Sequence, residues 1–393
     1  MTAADRFVLA PRMRTIARAA AAAGVLAVAV GLVADPDRTW PNLLLNGFFA
    51  VALALAGVVS IALQFLSGAT WNARLRRVSE ALMAPLPIAG VVMLVLFFGR
   101  ERLYPWSRPG AEALEGARPI YFGAPLFFGR MALFIAAWTL FGWLIRRTSL
   151  RQDRDPAAIH HQRLVRYSAA FAVVFAISFS LASFDWLMSL VPHWSSTIFA
   201  VYWFAGVLSG GTAAITLAVV LLSERGYLAG VAGEEQRHDL GKLLFAFTTF
   251  WAYIWLSQYL LIWYGNLPEE TPYYISRTGE RWIAVFLLNL ALNWVIPFVA
   301  LMRRDAKRSA TVLKWIAIVV LAGRWVDLYV AIMPEMIAAP DLRLLDVAIF
   351  AGGVGAFFLT AARALEQAPL VPRLAGTADP DIEPAWRRSD DHV

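Results

Sequence analysis

Residues 167–197, YSAAFAVVFAISFSLASFDWLMSLVPHWSST, begin as an apolar run and end as a polar loop. The run 167–191 contains one charged residue, Asp185. It is long enough to cross a bilayer as a helix, which takes roughly 20 apolar residues. Pro192 ends such a helix, because proline has no backbone N–H to donate. This stretch therefore predicts a membrane-spanning helix that carries a carboxylate close to one end.

Long apolar runs of this kind recur along the whole chain. Its 393 residues are 59% hydrophobic and 16% charged, whereas soluble domains carry about 25% charged residues. Strands of a membrane barrel would be about 10 residues long with alternating polarity, and these runs are twice that length without alternation. The sequence therefore predicts an all-α integral membrane protein of about ten transmembrane helices. The candidate spans are 16–33, 43–67, 79–98, 121–145, 167–191, 197–223, 241–264, 282–302, 309–333 and 344–362.

The spans suggest one membrane domain over 1–393, with no soluble domain of useful size. Spans two to five, within 43–191, would form a first four-helix bundle, and spans six to nine, within 197–333, a second. Spans one and ten would be peripheral helices. The polar residues 363–393 would form a tail on the cytoplasmic side.

The distribution of basic residues predicts the orientation. With ten spans, the ends of the chain and the even-numbered loops share one side and carry 22 of the 35 Lys and Arg residues, whereas the odd-numbered loops carry 8. Because cytoplasmic loops are enriched in Lys and Arg, we expect both termini in the cytoplasm. The net charge of +7 then reflects topology and does not indicate nucleic acid. We expect the first span to be retained, and a cleaved signal peptide is the alternative.

The absence of cysteine excludes Cys-ligated iron–sulfur clusters, c-type haem attachment and disulfides in this chain. Histidine is almost as limiting. His160, His161 and His238 lie at loops, His392 lies in the tail, and only His193 is near a membrane pocket. A b-type haem with two mid-helix histidine ligands is therefore not expected, and we predict no metal site.

Ionisable residues inside apolar spans are the candidates for function, since each costs roughly 2.5–3.5 kcal/mol near the bilayer centre. Asp185 precedes His193 by eight residues. A carboxylate and an imidazole close together can hold and pass protons. Arg130 and Trp194 would complete a pocket at this membrane edge. The alternative is that His193 only packs at the interface.

Span seven carries a stripe of polar residues. At 100° per residue, its members fall within an arc of about 80° and extend over about 33 Å, the thickness of the hydrocarbon layer. They could order a chain of water molecules, or they could form hydrogen bonds between helices. The span-seven stripe consists of Lys242, Thr249, Tyr253, Ser257 and Tyr264.

Span nine contains Arg324 and Asp327, whose spacing of three places them on one helix face, close enough to pair. They would be either a structural salt bridge or part of a proton route. Glu335 follows at the end of the same span and would ordinarily be solvated. Asn289 and Asn293, one turn apart on span eight, are candidate partners of the polar stripe.

Two stretches carry a resemblance to a known family. They are SFDWLMSLVPHWSSTIFAVYWFAGVLSGG (183–211) and HDLGKLLFAFTTFWAYIWLSQYLLIWYGNLPEETPYY (238–274). Both resemble the NrfD-like, polysulfide reductase anchor-type membrane subunits. The similarity is greatest to the ActF type of alternative complex III, a bacterial quinol:cytochrome c oxidoreductase, and it extends over about residues 40–335.

The resemblance implies eight helices in two four-helix bundles, in the bacterial cytoplasmic (inner) membrane. It implies partners that hold the redox centres: an iron–sulfur subunit, c-type cytochrome subunits and a sister NrfD-like subunit, together with lipids and a terminal oxidase as a further candidate. This chain would be a subunit of an electron-transport enzyme and not an enzyme alone.

The resemblance also implies functions for the candidate residues. Asp185 and His193 would lie near a pocket that can hold a quinone, either menaquinone or ubiquinone. Lys242, Tyr253, Ser257 and Tyr264 would lie in the second bundle, where a proton path is proposed for the family. From their positions in the sequence, we expect Thr249, Asn293, Arg324, Asp327 and Glu335 to belong to the same path. The resemblance leaves open whether quinol is oxidised at this chain or at the sister subunit.

Two other classes of protein fit the same residues. A stand-alone secondary transporter also has many spans with buried charges. Such transporters often break helices at the midplane with Gly or Pro, and spans seven and nine have no Pro before their ends. A purely structural membrane anchor would use the same polar groups only to fasten its helices together.

Overall fold

All ten apolar runs form helices in the computed structural model, which describes residues 7–69, 73–110, 118–155 and 157–372. Each helix is long and apolar enough to cross a membrane. The predicted all-α, multi-pass membrane fold is therefore confirmed. Numbered α1 to α10 in chain order, they are Pro11–Ala34, Pro36–Ser67, Ala73–Leu103, Ala124–Gln152, Ala158–Leu190, Phe199–Glu224, Glu234–Gly265, Ile283–Leu301, Ala310–Glu335 and Leu344–Glu366.

Several helices extend beyond the apolar runs that predict them. For example, α2 begins at Pro36 and not at residue 43, and α10 continues to Glu366, into the predicted tail 363–393. Only residues 373–393 of that tail lie outside the described residues. The added turns are polar, and ion pairs neutralise them. Thus Arg38 in the first turns of α2 donates from Nε to Asp346 of α10 at 2.8 Å.

The helices pack in two rings. α2 contacts α3, α3 contacts α4, α4 contacts α5, and α5 returns to α2. In the same way α6, α7, α8 and α9 contact one another in sequence, and α9 returns to α6. We call these sets the first and second bundle. α2 also packs against α6 and α9 and so joins the two.

The first and last helices lie together outside the rings. α1 and α10 contact each other along much of their length. Gly24 and Gly352 face one another so closely that a Cβ on either would collide with the other backbone. A Cβ on Gly355 would lie 2.7 Å from the carbonyl oxygen of Ala17. Small residues thus let the two backbones meet, as is typical of helix pairs in membranes.

Two of the ten spans are interrupted. α3 contains a turn at residues 83–85, where Pro85 and Pro87 interrupt regular helical bonding. α8 contains a π-helical segment, Ala291–Val295. Pro297 explains it, because proline has no N–H to donate to the carbonyl of Asn293, four residues earlier. Both asparagines of α8 lie at or beside this irregular turn.

An even number of spans returns the chain to the side on which it started. Residues 7 and 372 therefore lie on one side of the membrane, which we call the near side. The far side carries the connections after α1, α3, α5, α7 and α9. On the far side Asp341 pairs with Arg343 at 2.7 Å, and this hydrogen bond lowers the pKa of Asp341.

Candidate functional site: a buried polar cluster in the second bundle

Three helices of the second bundle bring polar side chains to one carboxylate. Oδ1 of Asp327 accepts hydrogen bonds from Tyr202 of α6 and from Asn289 of α8, the latter at 2.7 Å. Oδ2 accepts from Arg324, one turn earlier on α9. Asn293 donates to Oδ1 of Asn289 at 2.7 Å. These five residues, which we call the Asp327 cluster, are all buried.

The guanidinium of Arg324 fills a space that exists because two residues of α6 are glycines. A Cβ on Gly206 would lie 3.3 Å from its central carbon, and one on Gly210 would lie 3.1 Å from its Cγ. The ring of Trp251 on α7 lies 4.9 Å from the guanidinium carbon. Nη1 of Arg324 has no hydrogen-bond partner among the described residues. The cation therefore depends on Asp327 and on the π-face of Trp251.

A small cavity extends from the Asp327 cluster toward the far side. Its volume is ≈ 20 Å³, enough for about one water molecule. Tyr202, Asn289 and Asp327 line one end of it, and Tyr273 and Arg277 line the other. A water there would have the carboxylate, the amide and the guanidinium as neighbouring polar groups. The cavity is too small for a quinone ring, so these residues as placed fit water and not a quinone.

The far-side end of the cavity is closed by an ion pair. Nη1 of Arg277 donates to Oε1 of Glu335 at 3.0 Å, and Nη2 donates to the carbonyl of Ala331 at 2.8 Å. Its guanidinium carbon lies 3.5 Å from the ring centre of Tyr273, and Tyr273 stacks on Trp194 at 3.8 Å. We call these residues, apart from Ala331, the Arg277 cluster. The Glu335 side chain is 25% exposed and connects the cluster to the surface.

The first bundle contains a second buried ion pair. Nε of Arg130 on α4 donates to Oδ2 of Asp185 on α5 at 3.0 Å, and the side chain of Asp185 is fully buried. Arg130 also lies 3.8 Å from the ring of Tyr121. Burial, with the Asp185 charge, raises the pKa of Tyr121 to about 12. Asp185 and Arg130, both predicted site residues, are thus brought together here.

The other two residues predicted for this pocket, His193 and Trp194, differ in burial. His193 is exposed in the loop after α5, whereas Trp194 is buried and belongs to the Arg277 cluster. The carboxylate of Asp185 has no exposed surface. A quinone could reach it only if neighbouring side chains moved. The residues as placed therefore do not fit a quinone at Asp185, and proton exchange with His193 stays a prediction.

The span-seven stripe faces away from the rest of the chain. Tyr253 and Tyr264 are 65% and 87% exposed. Lys242 is also exposed and pairs with Asp239 at 2.6 Å. Thr249 donates to the carbonyl of Phe245 on its own helix, and Ser257 is half-buried. A water path along the stripe would therefore need a second protein surface to enclose it, and its use by protons stays a prediction.

The structure adds four residues to the site that were not selected from the sequence: Tyr202, Trp251, Tyr273 and Arg277. Tyr202 and Trp251 look like ordinary interfacial or core aromatics in the sequence. Arg277 looks like a loop cation, although its side chain is only 2% exposed. One feature of the sequence does indicate the site. The small residues Gly206 and Gly210 of α6 leave room for a large buried group.

Comparison of the chain with protein-family models and with curated proteins finds no match. Its class therefore rests on its own structure. The ten spans define a multi-pass, all-α membrane protein. Within the described ranges, no group of three or more His, Cys, Asp or Glu side chains is arranged to hold a metal ion. The buried polar groups of the second bundle are the candidate functional site.

Proposed function

We propose that this chain is a non-haem membrane subunit of a bacterial quinol:cytochrome c oxidoreductase, and that its second bundle carries protons. The observation that supports proton transfer best is the cavity between Asp327 and the Arg277 cluster. It places a water-sized space between a deeply buried carboxylate and the partly exposed Glu335. Electrons would pass through the iron–sulfur and cytochrome partners, since no redox centre is expected in this chain.

The proposed route has three steps. Asp327 receives a proton that comes from the near side, a water in the cavity carries it past Arg277, and Glu335 releases it on the far side. Asp327 and Glu335 are eight residues apart on one helix, so the route covers about 12 Å. Tyr202 and Asn289 hold the carboxylate in position. Arg324 donates to the other oxygen of the same carboxylate.

Arg324 would act as the gate of this route. When Asp327 takes up a proton, Arg324 loses its ion-pair partner while it remains buried. Leaving a buried charge unpaired costs about 3–5 kcal/mol. Proton uptake at Asp327 therefore requires Arg324 to move or a compensating charge to arrive. Under this proposal the near side of the route is completed by a partner surface against the span-seven stripe.

Purification tests the subunit assignment. We expect the affinity-tagged chain, extracted in mild detergent, to bring haem-containing and iron–sulfur partners with it and to show quinol:cytochrome c activity. A chain that purifies alone, without haem, would contradict the assignment.

Substitution tests the proton route separately. In the assembled complex, Asp327→Asn and Glu335→Gln should lower the protons released per quinol, toward the two that quinol oxidation itself supplies. Glu235→Gln, at an exposed charge in the first turn of α7, is the matched control and should change nothing. Unchanged proton release in an assembled Asp327→Asn complex would rule out the route while leaving the subunit assignment in place.

One observation favours a second candidate, the stand-alone transporter. α8 is interrupted at Ala291–Val295, beside the buried asparagines, and broken helices near buried charges are typical of transporters. Purification again discriminates, since a transporter should be active without haem-bearing partners. A purely structural anchor is the third candidate, and it predicts normal activity for every variant that assembles.

A further inference from the structure

The near-side ends of α4 and α5 carry exposed arginines that have no acidic partner in the part of the chain that the structure describes. Three lie at the end of α4 and two at the start of α5. The two nearby acids pair with other residues: Asp153 with Arg77, and Asp155 with His160 at 3.1 Å. We call the five exposed residues the arginine rim: Arg147, Arg151, Arg154, Arg163 and Arg166.

The rim stands directly above apolar surface that faces outward. On α4, Leu133 and Leu140 precede Arg147 at intervals of seven residues, so the three share one helix face. Both leucines are more than half exposed, at 64% and 52%. On α5, Val173 is likewise 63% exposed and follows Arg166 by seven residues. On each of the two helices, exposed apolar residues and an arginine at the membrane edge therefore lie on the same outward face.

An aromatic side chain marks the level of that edge. Trp143 on α4 is 51% exposed, and the guanidinium carbon of Arg147 lies 4.7 Å from its ring centre. Exposed tryptophans of membrane helices collect at the interface between hydrocarbon and headgroups. The rim therefore lies at headgroup height, with hydrocarbon-facing residues on one side and water on the other.

Some of the cations at the other near-side connections are paired with acids. Lys314 pairs with Glu224 at 2.6 Å, and Arg308 lies 4.0 Å from Glu234. Arg303 approaches Asp305 at 3.8 Å. A general excess of basic residues on this side does not explain why the rim alone concentrates five cations without acids. Its charge has to be balanced by something outside the described chain.

We propose that the arginine rim binds the headgroup of an anionic phospholipid, whose acyl chains lie along the outward stripes of α4 and α5. A phosphodiester offers two oxygens that match the planar donors of a guanidinium. Clusters of basic residues at the end of a membrane helix attract anionic lipids by this chemistry. The exposed apolar residues below the rim favour a lipid over a soluble anion, because only a lipid has acyl chains to pack against them.

Lipid titration of the purified full chain tests the proposal. Native mass spectrometry counts the lipids that remain bound when the chain, in zwitterionic detergent, is titrated with phosphatidylglycerol or phosphatidylcholine. We expect selective retention of phosphatidylglycerol. The triple variant Arg147→Gln, Arg151→Gln, Arg163→Gln should weaken it by about a hundredfold, at the usual contribution of each basic residue. Binding of phosphatidylcholine should not change.

The matched control removes three exposed near-side arginines elsewhere, as Arg225→Gln, Arg303→Gln, Arg304→Gln. This control variant should change phosphatidylglycerol binding by at most about threefold, because its arginines act on the rim only through long-range electrostatics. Equal losses in the two triple variants, or equal retention of both lipids by the native chain, would overturn the proposal. So would displacement of phosphatidylglycerol by inorganic phosphate alone. Unchanged thermal unfolding in phosphatidylcholine establishes that both variants fold.

Discussion

Asp327→Asn is expected to destabilise the chain by about 3–5 kcal/mol, the cost of leaving a buried charge without its partner. Asparagine has nearly the volume of aspartate, and its side-chain oxygen can still accept from Tyr202 and Asn289. The substitution therefore removes little besides the negative charge that faces Arg324. Arg324 is only 4% exposed, so water cannot replace that charge. The measurement is unfolding by SDS in mixed micelles, followed by circular dichroism.

The chain provides a control with the same spacing and the opposite environment. Asp239 and Lys242 are also three residues apart, and they pair at 2.6 Å, but their side chains are 26% and 55% exposed. Solvent screens such a pair, so Asp239→Asn should cost about 0–1 kcal/mol. The burial of the pair, and not the distance between its atoms, should determine how much stability each substitution costs.

Removing both charges of the buried pair completes the test. The double variant Arg324→Met, Asp327→Leu leaves no buried ion and fills the site with apolar atoms. It should recover most of the stability that Asp327→Asn loses, since apolar replacement of a buried pair is often neutral or stabilising. The reasoning is refuted if Asp327→Asn costs no more than Asp239→Asn, or if the double variant is no more stable than the single one.

Three further substitutions test other parts of the molecule. Gly24→Val should force α1 away from Gly352 and cost about 1–3 kcal/mol of stability; SDS unfolding within error of the native chain would contradict the close packing. Arg130→Gln should cost about 3–5 kcal/mol by leaving Asp185 buried and unpaired, and a loss below about 1 kcal/mol would show that water reaches this carboxylate. Because the pKa of Tyr121 is raised to about 12, its neutral form stabilises the fold at neutral pH, and this contribution is lost as pH rises from 10 toward 12. The difference in tyrosinate absorbance between the chain and Tyr121→Phe should therefore appear near pH 12; a difference near pH 10 would place this phenol in water.

The positions of the spans could be predicted from sequence because bilayer thickness fixes a minimum apolar length. The extent of each helix could not, since polar turns are stabilised by residues far away in the chain. Arg38 and Asp346 are 308 residues apart and become one hydrogen-bonded pair. The i,i+3 spacing predicted the pairing of Arg324 with Asp327 correctly, because both partners lie on one helix.

The direction in which a helix face points was harder to predict. The span-seven stripe has the geometry of a lined path, but hydroxyl groups at helical spacing fit an inward or an outward face equally well. The buried face of α7 instead carries Trp251 and Trp255. In a membrane, polarity alone does not decide which face is inside, because lipid and protein interior are similarly apolar. The partners of Asp327 on α6 and α8 lie on other helices and leave no local pattern.

The pairing of α1 with α10 has a consequence for biosynthesis. The ribosome delivers α1 before α2 to α9 and delivers α10 after them, so α1 must wait in the bilayer while eight further spans are inserted. Its small-residue face is covered only by lipid during that interval. In a stalled or truncated nascent chain this face would stay exposed to lipid. Membrane quality control could use that exposure to distinguish an unfinished molecule from a completed one.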